Sequence, residues 1–97
     1  MKLKPNQRVT YEIARARALA FLATQDYPIV ASAIGTEIWP DNDMKAQGLG
    51  AASSRILQRM KEEGLVYWTF IEFRDSNRQW GYKITPHGRV TCLSMSA

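Results

Sequence analysis

Residues 49–66, LGAASSRILQRMKEEGLV, and residues 81–89, GYKITPHGR, decide how this chain is read. Leu49, Ser53, Ile56, Leu57 and Met60 recur at helical spacing, which predicts an amphipathic helix over about 49–63. Gly64 supplies the left-handed residue on which helices commonly end, and Leu65-Val66 starts an extended run. The opposite face of the helix is small or polar at its start: Gly48, Ala51, Ser54, Arg55 and Gln58. Residues 65–74, LVYWTFIEFR, are aromatic and β-branched and read as a strand. DSNRQ at 75–79 is a turn, and Trp80 to Thr85 returns with Trp80, Tyr82 and Ile84 on one face. A helix therefore runs directly into a two-stranded hairpin.

Upstream, MKLKPNQR at 1–8 is a loose basic lead-in. Thr10 is an N-cap for a helix over about 11–25, with Glu12 suited to its first turn. Ile13, Ala16, Ala20 and Ala23 form one stripe of that helix, flanked by Leu19 and Leu22, while Ala14, Ala18 and Phe21 lie roughly opposite. A helix apolar on both sides is covered on both, within the fold or by a second copy. Residues 28–39, PIVASAIGTEIW, read as a shorter helix with Ile29, Ala33, Ile34 and Ile38 inward; an extended piece at 27–30 is the alternative. WPDNDMKAQG, 39–48, is a turn-rich connector. Downstream, Thr85-Pro86 caps and opens a short last helix through about Leu93, before a small polar tail at 94–97. The class is α+β, with one domain over 1–97.

Composition narrows the function. Apolar residues at 45% and charged residues at 23% are ordinary for a packed domain. No apolar run approaches a membrane span and the N-terminus has no signal-peptide pattern, so a cytoplasmic protein is expected, nucleoid-associated when bound to DNA. The one cysteine, Cys92, forms no internal disulfide and no multi-cysteine metal site. The one histidine, His87, has no base or nucleophile beside it in sequence, and adjacent Glu62 and Glu63 diverge by about 100° on a helix. No enzyme, cofactor or metal is expected. The net charge of +4 permits a polyanionic partner, and its distribution says more. Residues 26–43 carry Asp26, Glu37, Asp41 and Asp43 with no Lys or Arg, whereas 44–61 carry Lys45, Arg55, Arg59 and Lys61 with no acid.

SRILQRMKEEGLV followed by a hairpin and GYKITPHGR resembles the winged helix-turn-helix family of small bacterial or phage DNA-binding domains. In that family S-R-x-L-x-x-L-x-x-x-G-L-V marks the recognition helix and its exit into the wing, and Y-x-L-T-x-x-G-R marks the return strand. Ser54-Arg55, Leu57, Met60, Gly64-Leu65-Val66, Tyr82, Ile84-Thr85 and Gly88-Arg89 occupy the corresponding places. The match covers 53–89, while the first half matches by helix number alone. The connector 39–48 is longer than the three or four residues of a tight helix-turn-helix. The resemblance implies three N-terminal helices, a two-stranded wing, a short C-terminal helix, and a double-stranded-DNA-binding function in transcription regulation.

On that reading helix 49–63 enters the major groove and the wing tip at 74–79 meets the backbone or minor groove. Ser54, Arg55 and Gln58 lie on the outer face, where Arg55 suits guanine O6/N7 and Gln58 adenine N6/N7. Lys45, Gln47 and Arg59 flank them for phosphates, and Arg74, Asn77 and Arg78 serve the wing tip. Against this stands ordinary helix-surface pairing of Arg55 and Arg59 with Glu62 and Glu63. The hairpin aromatics exceed what one wing face buries, so Trp68, Phe70, Phe73 and Trp80 read as a partner surface. That surplus and the two-sided first helix point to a homodimer. The alternatives are a winged-helix protein-interaction module using the aromatic hairpin, or an assembly or replication factor touching DNA only through phosphates.

Overall fold

The computed structural model describes residues 9–40, 46–72 and 78–96. Its elements are α1 (Tyr11–Leu22), α2 (Ala31–Ile38), α3 (Ala46–Glu62), β1 (Val66–Glu72), β2 (Arg78–Ile84) and α4 (Pro86–Ser96). Four helices and one antiparallel hairpin make the α+β class expected from the sequence.

Thr10 starts α1, its side-chain oxygen accepting from the Ile13 N–H at 3.3 Å. The helix stops at Leu22, three residues before the expected 25. Its last carbonyls are taken from outside: the Thr24 hydroxyl donates to Phe21 at 2.7 Å and Arg89 Nη1 donates to Ala23 at 3.1 Å. The expected facing of α1 is corrected. Ala14, Ala18, Leu19 and Leu22 are buried, whereas Ile13 is 45% exposed and Ala20 is also exposed. Ala14 and Ala18 are small enough for neighbouring helices to pack closely there, which turns the Ile13–Ala20 side outward.

Residues 28–30 take the extended alternative, so α2 starts at Ala31 rather than 28. Ile29 and Tyr82 exchange both backbone bonds, at 3.0 and 2.8 Å, which adds a bridge to the outer edge of β2. At Gly35 a Cβ would press on the Leu49 side chain at 2.7 Å. Its bareness lets α2 and α3 approach closely. Ser53, fully buried, sits 2.7 Å from the carbonyl oxygens of both Ala31 and Leu49, so its single hydroxyl proton serves the two helices at their contact. Arg17 Nη1 donates to the Ile38 carbonyl at 2.7 Å, which finishes α2.

Helix α3 begins at Ala46, three residues earlier than expected, and its predicted stripe is inward: Leu49, Ser53, Leu57 and Met60 are buried and Ile56 is partly so. Gly64 adopts φ 78°, with Leu65 N–H donating to Met60 and Gly64 N–H to Lys61. Those two bonds form the Schellman motif that closes a helix on glycine. The hairpin runs in unbroken register from Val66↔Ile84 to Glu72↔Arg78. Val66, Leu65, Tyr82 and Ile84 are buried over the helices. Thr85 closes the hairpin: its N–H donates to Leu65 at 3.0 Å, its hydroxyl donates to Gly64 at 2.6 Å, and that same oxygen accepts from Gly88 N–H at 2.9 Å. α4 continues three residues past the expected Leu93. Among the described residues no helix is long and apolar enough to cross a membrane.

Candidate nucleic-acid interface

With Leu49, Ser53, Leu57 and Met60 committed to the interior, the opposite side of α3 faces outward along Gly48, Ala51, Arg55 and Gln58. All four are exposed, and Ser54 beside them is half-buried. A side chain added at Gly48 would meet nothing within 4 Å, so the start of this face is slim and open. Arg55 makes no ion pair with any described residue. The face turns anionic one turn beyond Gln58, at exposed Glu62.

Arg59 has a different setting. Its guanidinium lies 3.8 Å from the Tyr11 ring centroid and its Nε is 3.6 Å from Glu63 Oε2. Glu63 also accepts from the Tyr11 hydroxyl at 2.8 Å and from Arg15 Nη1 at 3.4 Å. Helix-surface pairing, the competing sequence reading, therefore holds for Arg59 with Glu63 and not for Arg55. The Arg59 side chain stays 58% exposed, so the cation is fixed in place without being hidden. Burial, then the hydrogen bond to the Glu63 carboxylate, pushes the Tyr11 hydroxyl up to about 12. The Tyr11 hydrogen bond, seconded by Arg15, holds the Glu63 carboxyl below its ordinary value. Sequence reasoning missed this cluster. Its local traces are the Arg59–Glu63 pairing already considered and the Tyr11–Arg15 spacing of four, which places those two on one face of α1.

Other sequence candidates are placed only in part. Gln47 lies in the first turn of α3, and Arg78 opens β2 opposite Glu72. Lys45, Arg74, Asn77 and Phe73 lie outside the described residues. Arg17 and Arg89, which carry two of the positive charges, are spent on helix-end carbonyls.

On the hairpin, Trp68, Phe70 and Trp80 share a face and are 45%, 47% and 44% exposed. Their rings stack across the strands: Phe70–Trp80 centroids are 3.7 Å apart, Trp68–Trp80 4.3 Å and Trp68–Tyr82 6.3 Å. Lys61 Nζ stands 5.4 Å from the Trp68 ring, where the hairpin meets the end of α3.

No protein-family model matches the chain, and no curated protein matches it. Among solved structures it is similar to the "putative transcriptional regulator" of Thermoplasma acidophilum, with a TM-score of 0.69 and 17% identity. The superposition covers 89% of this chain and 79% of that one. The likeness is one of fold. Four helices and an antiparallel hairpin in this arrangement are compatible with a winged helix.

Proposed function

We propose that this chain is a winged helix-turn-helix protein that binds double-stranded DNA and regulates transcription, acting as a homodimer. One observation carries the reading: the outward face of α3 is slim at Gly48 and Ala51 and then presents Arg55 and Gln58, both exposed. An α-helix with a small leading end enters a major groove, where Arg55 reads guanine and Gln58 reads adenine. Ser54 supports them, and Arg59, with Lys45 and Gln47, meets phosphates at the flank. The hairpin tip, with Arg74, Asn77 and Arg78, lies along the backbone or the minor groove. The fold shared with the Thermoplasma protein agrees with this reading.

Binding to random-sequence duplex across a salt series tests it. The native chain loses affinity steeply with salt, and Arg55→Ala lowers the salt slope by about 1 if it meets a phosphate, or relaxes selectivity if it meets a base. Absence of binding at low salt, or binding indifferent to salt and to Arg55→Ala, refutes the proposal.

A second reading is favoured by the exposed Trp68–Phe70–Trp80 row, which is larger than a phosphate-tracking wing needs. In it the hairpin is a protein-interaction surface and α3 is merely solvated. Absence of duplex binding by the folded protein even at the lowest salt selects it.

A further inference from the structure

The hydrogen bonding of the hairpin settles which backbone groups of β1 are used. Thr85 N–H donates to the Leu65 carbonyl, which puts the 65–85 pair at a bonded position of the ladder although the Leu65 N–H closes α3 on Met60, and bonded positions alternate along an antiparallel ladder. Tyr67, Thr69 and Ile71 therefore bond to Lys83, Gly81 and Gln79 of β2. Tyr82 obeys the same alternation, since its N–H and carbonyl point away from β1 and bond to Ile29. The N–H and carbonyl groups of Trp68 and Phe70 consequently face the other way. β2 has Ile29 on its outer edge, but among the described residues no strand lies on the outer edge of β1.

An open edge invites another strand, and proteins usually guard it with a charge, a proline, a bulge or a very short strand. This edge has no proline and no bulge, its one charge within β1 is Glu72 at the last position, and β1 is seven residues long in unbroken register. Its sequence is also self-complementary. Full antiparallel overlap of Val66–Glu72 with itself centres on Thr69 and sets Trp68 opposite Phe70 and Tyr67 opposite Ile71. That register makes Trp68 and Phe70 the bonded pairs, which is the parity their outward backbone groups require. It also keeps like faces together. Each row of rings then runs through four strands, Trp80 and Phe70 of one copy continuing into Trp68 and Tyr82 of the other.

We propose that β1 is the homodimer interface, two copies joining edge to edge about Thr69 into one four-stranded sheet. The inference rests on the two-copy part of the functional reading and on no DNA contact. A second copy fits better than an unrelated extended segment, because the aromatic and branched pairs form on both faces of the strand without any foreign sequence.

The test combines mass and cross-linking on the whole chain. Light scattering gives a mass near twice 11.0 kDa for the native protein. Phe70→Pro gives a monomer that keeps its hairpin by backbone NMR, since the N–H removed bonds nothing in β2. In a Cys92→Ser background, Thr69→Cys cross-links to a covalent dimer under mild oxidation, because residues opposed at a non-bonded pair are about 4.5 Å apart, within disulfide reach. Lys83→Cys in the same background does not. A native monomer overturns both this interface and the homodimer while leaving DNA binding untouched. A dimer indifferent to Phe70→Pro, or uncross-linked through Thr69→Cys, overturns the interface alone.

Discussion

Gly88 lies so close to the carbonyl oxygen of Leu65 that a Cβ at Gly88 would overlap it, and would also press on Ile84 Cγ1 at 2.8 Å. The first turn of α4 thus rests directly on the backbone that leaves α3. Gly88→Ala must push the two apart, and destabilises the protein by about 1–3 kcal/mol, the range for overpacking. Gly48→Ala, where a Cβ meets nothing, gains about 0.5–1 kcal/mol from helix propensity. Urea midpoints of the two variants move in opposite directions; equal shifts would contradict the packing described.

Arg55 and Arg59 are neighbours on α3 with different burdens. Arg59→Ala removes the stack on Tyr11 and the contact with Glu63, at a cost of about 0.5–1 kcal/mol for an exposed cation–π pair. Arg55→Ala, free of described partners, changes stability by less than about 0.5 kcal/mol. Thermal melts of the two variants separate them. The proposed function has duplex affinity fall in both, so a variant that loses binding at full stability isolates the direct contact.

Tyr11 and Glu63 predict a stability window bounded on both sides. Tyr11 has its folded pKa raised from 10.0 to about 12, so its contribution is complete below pH 10 and is lost as pH rises toward 12. Glu63 is held below its ordinary value, so its contribution is present above that value and is lost as pH falls through the lowered one. The urea midpoint gap between native protein and Tyr11→Phe is therefore widest near neutrality and closes at alkaline pH. Glu63→Gln narrows its own gap at acid pH. Burial of Tyr82 raises its pKa as well, but Tyr82 is common to both proteins and cancels from the difference. A gap constant from neutrality to pH 12 would refute the tether.

Trp68 and Trp80, 4.3 Å apart and tilted by 39°, are close enough for their transitions to couple. Circular dichroism should show a tryptophan exciton couplet that Trp80→Phe abolishes. Trp80→Ala additionally loses the stacks with Trp68 and Phe70, each worth about 0.5–1.5 kcal/mol beyond burial. A spectrum unchanged by Trp80→Phe would mean the rings are not held in this stack.

What was legible in the sequence is what local chemistry specifies. The stripe from Leu49 to Met60, the glycine stop at Gly64 and the Thr85 cap each depend on residues a few positions apart, and each is found as read. The facing of α1 was misread because apolar residues surround it; alanine size, not pattern, decides which side is close-packed. The purpose of Gly35, room for Leu49 and Ser53, was not legible because it lies on another helix. The outward residues Arg55 and Gln58 were legible as the complement of the buried stripe. The tether on Arg59 was only half so: pairing with Glu63 is a local matter, but Tyr11 stands 52 residues away from that carboxylate.

Thr85 ties the last turn of α3, the root of the hairpin and the first turn of α4 together through Leu65, Gly64 and Gly88. Mechanically it is a rivet through three beams. A load applied to the far end of the hairpin arrives there as a torque, with the strands as the lever arm. The hairpin is therefore not joined to α3 through a slack hinge. It turns with the helix that carries Arg55, so whatever grips the hairpin also steers that arginine.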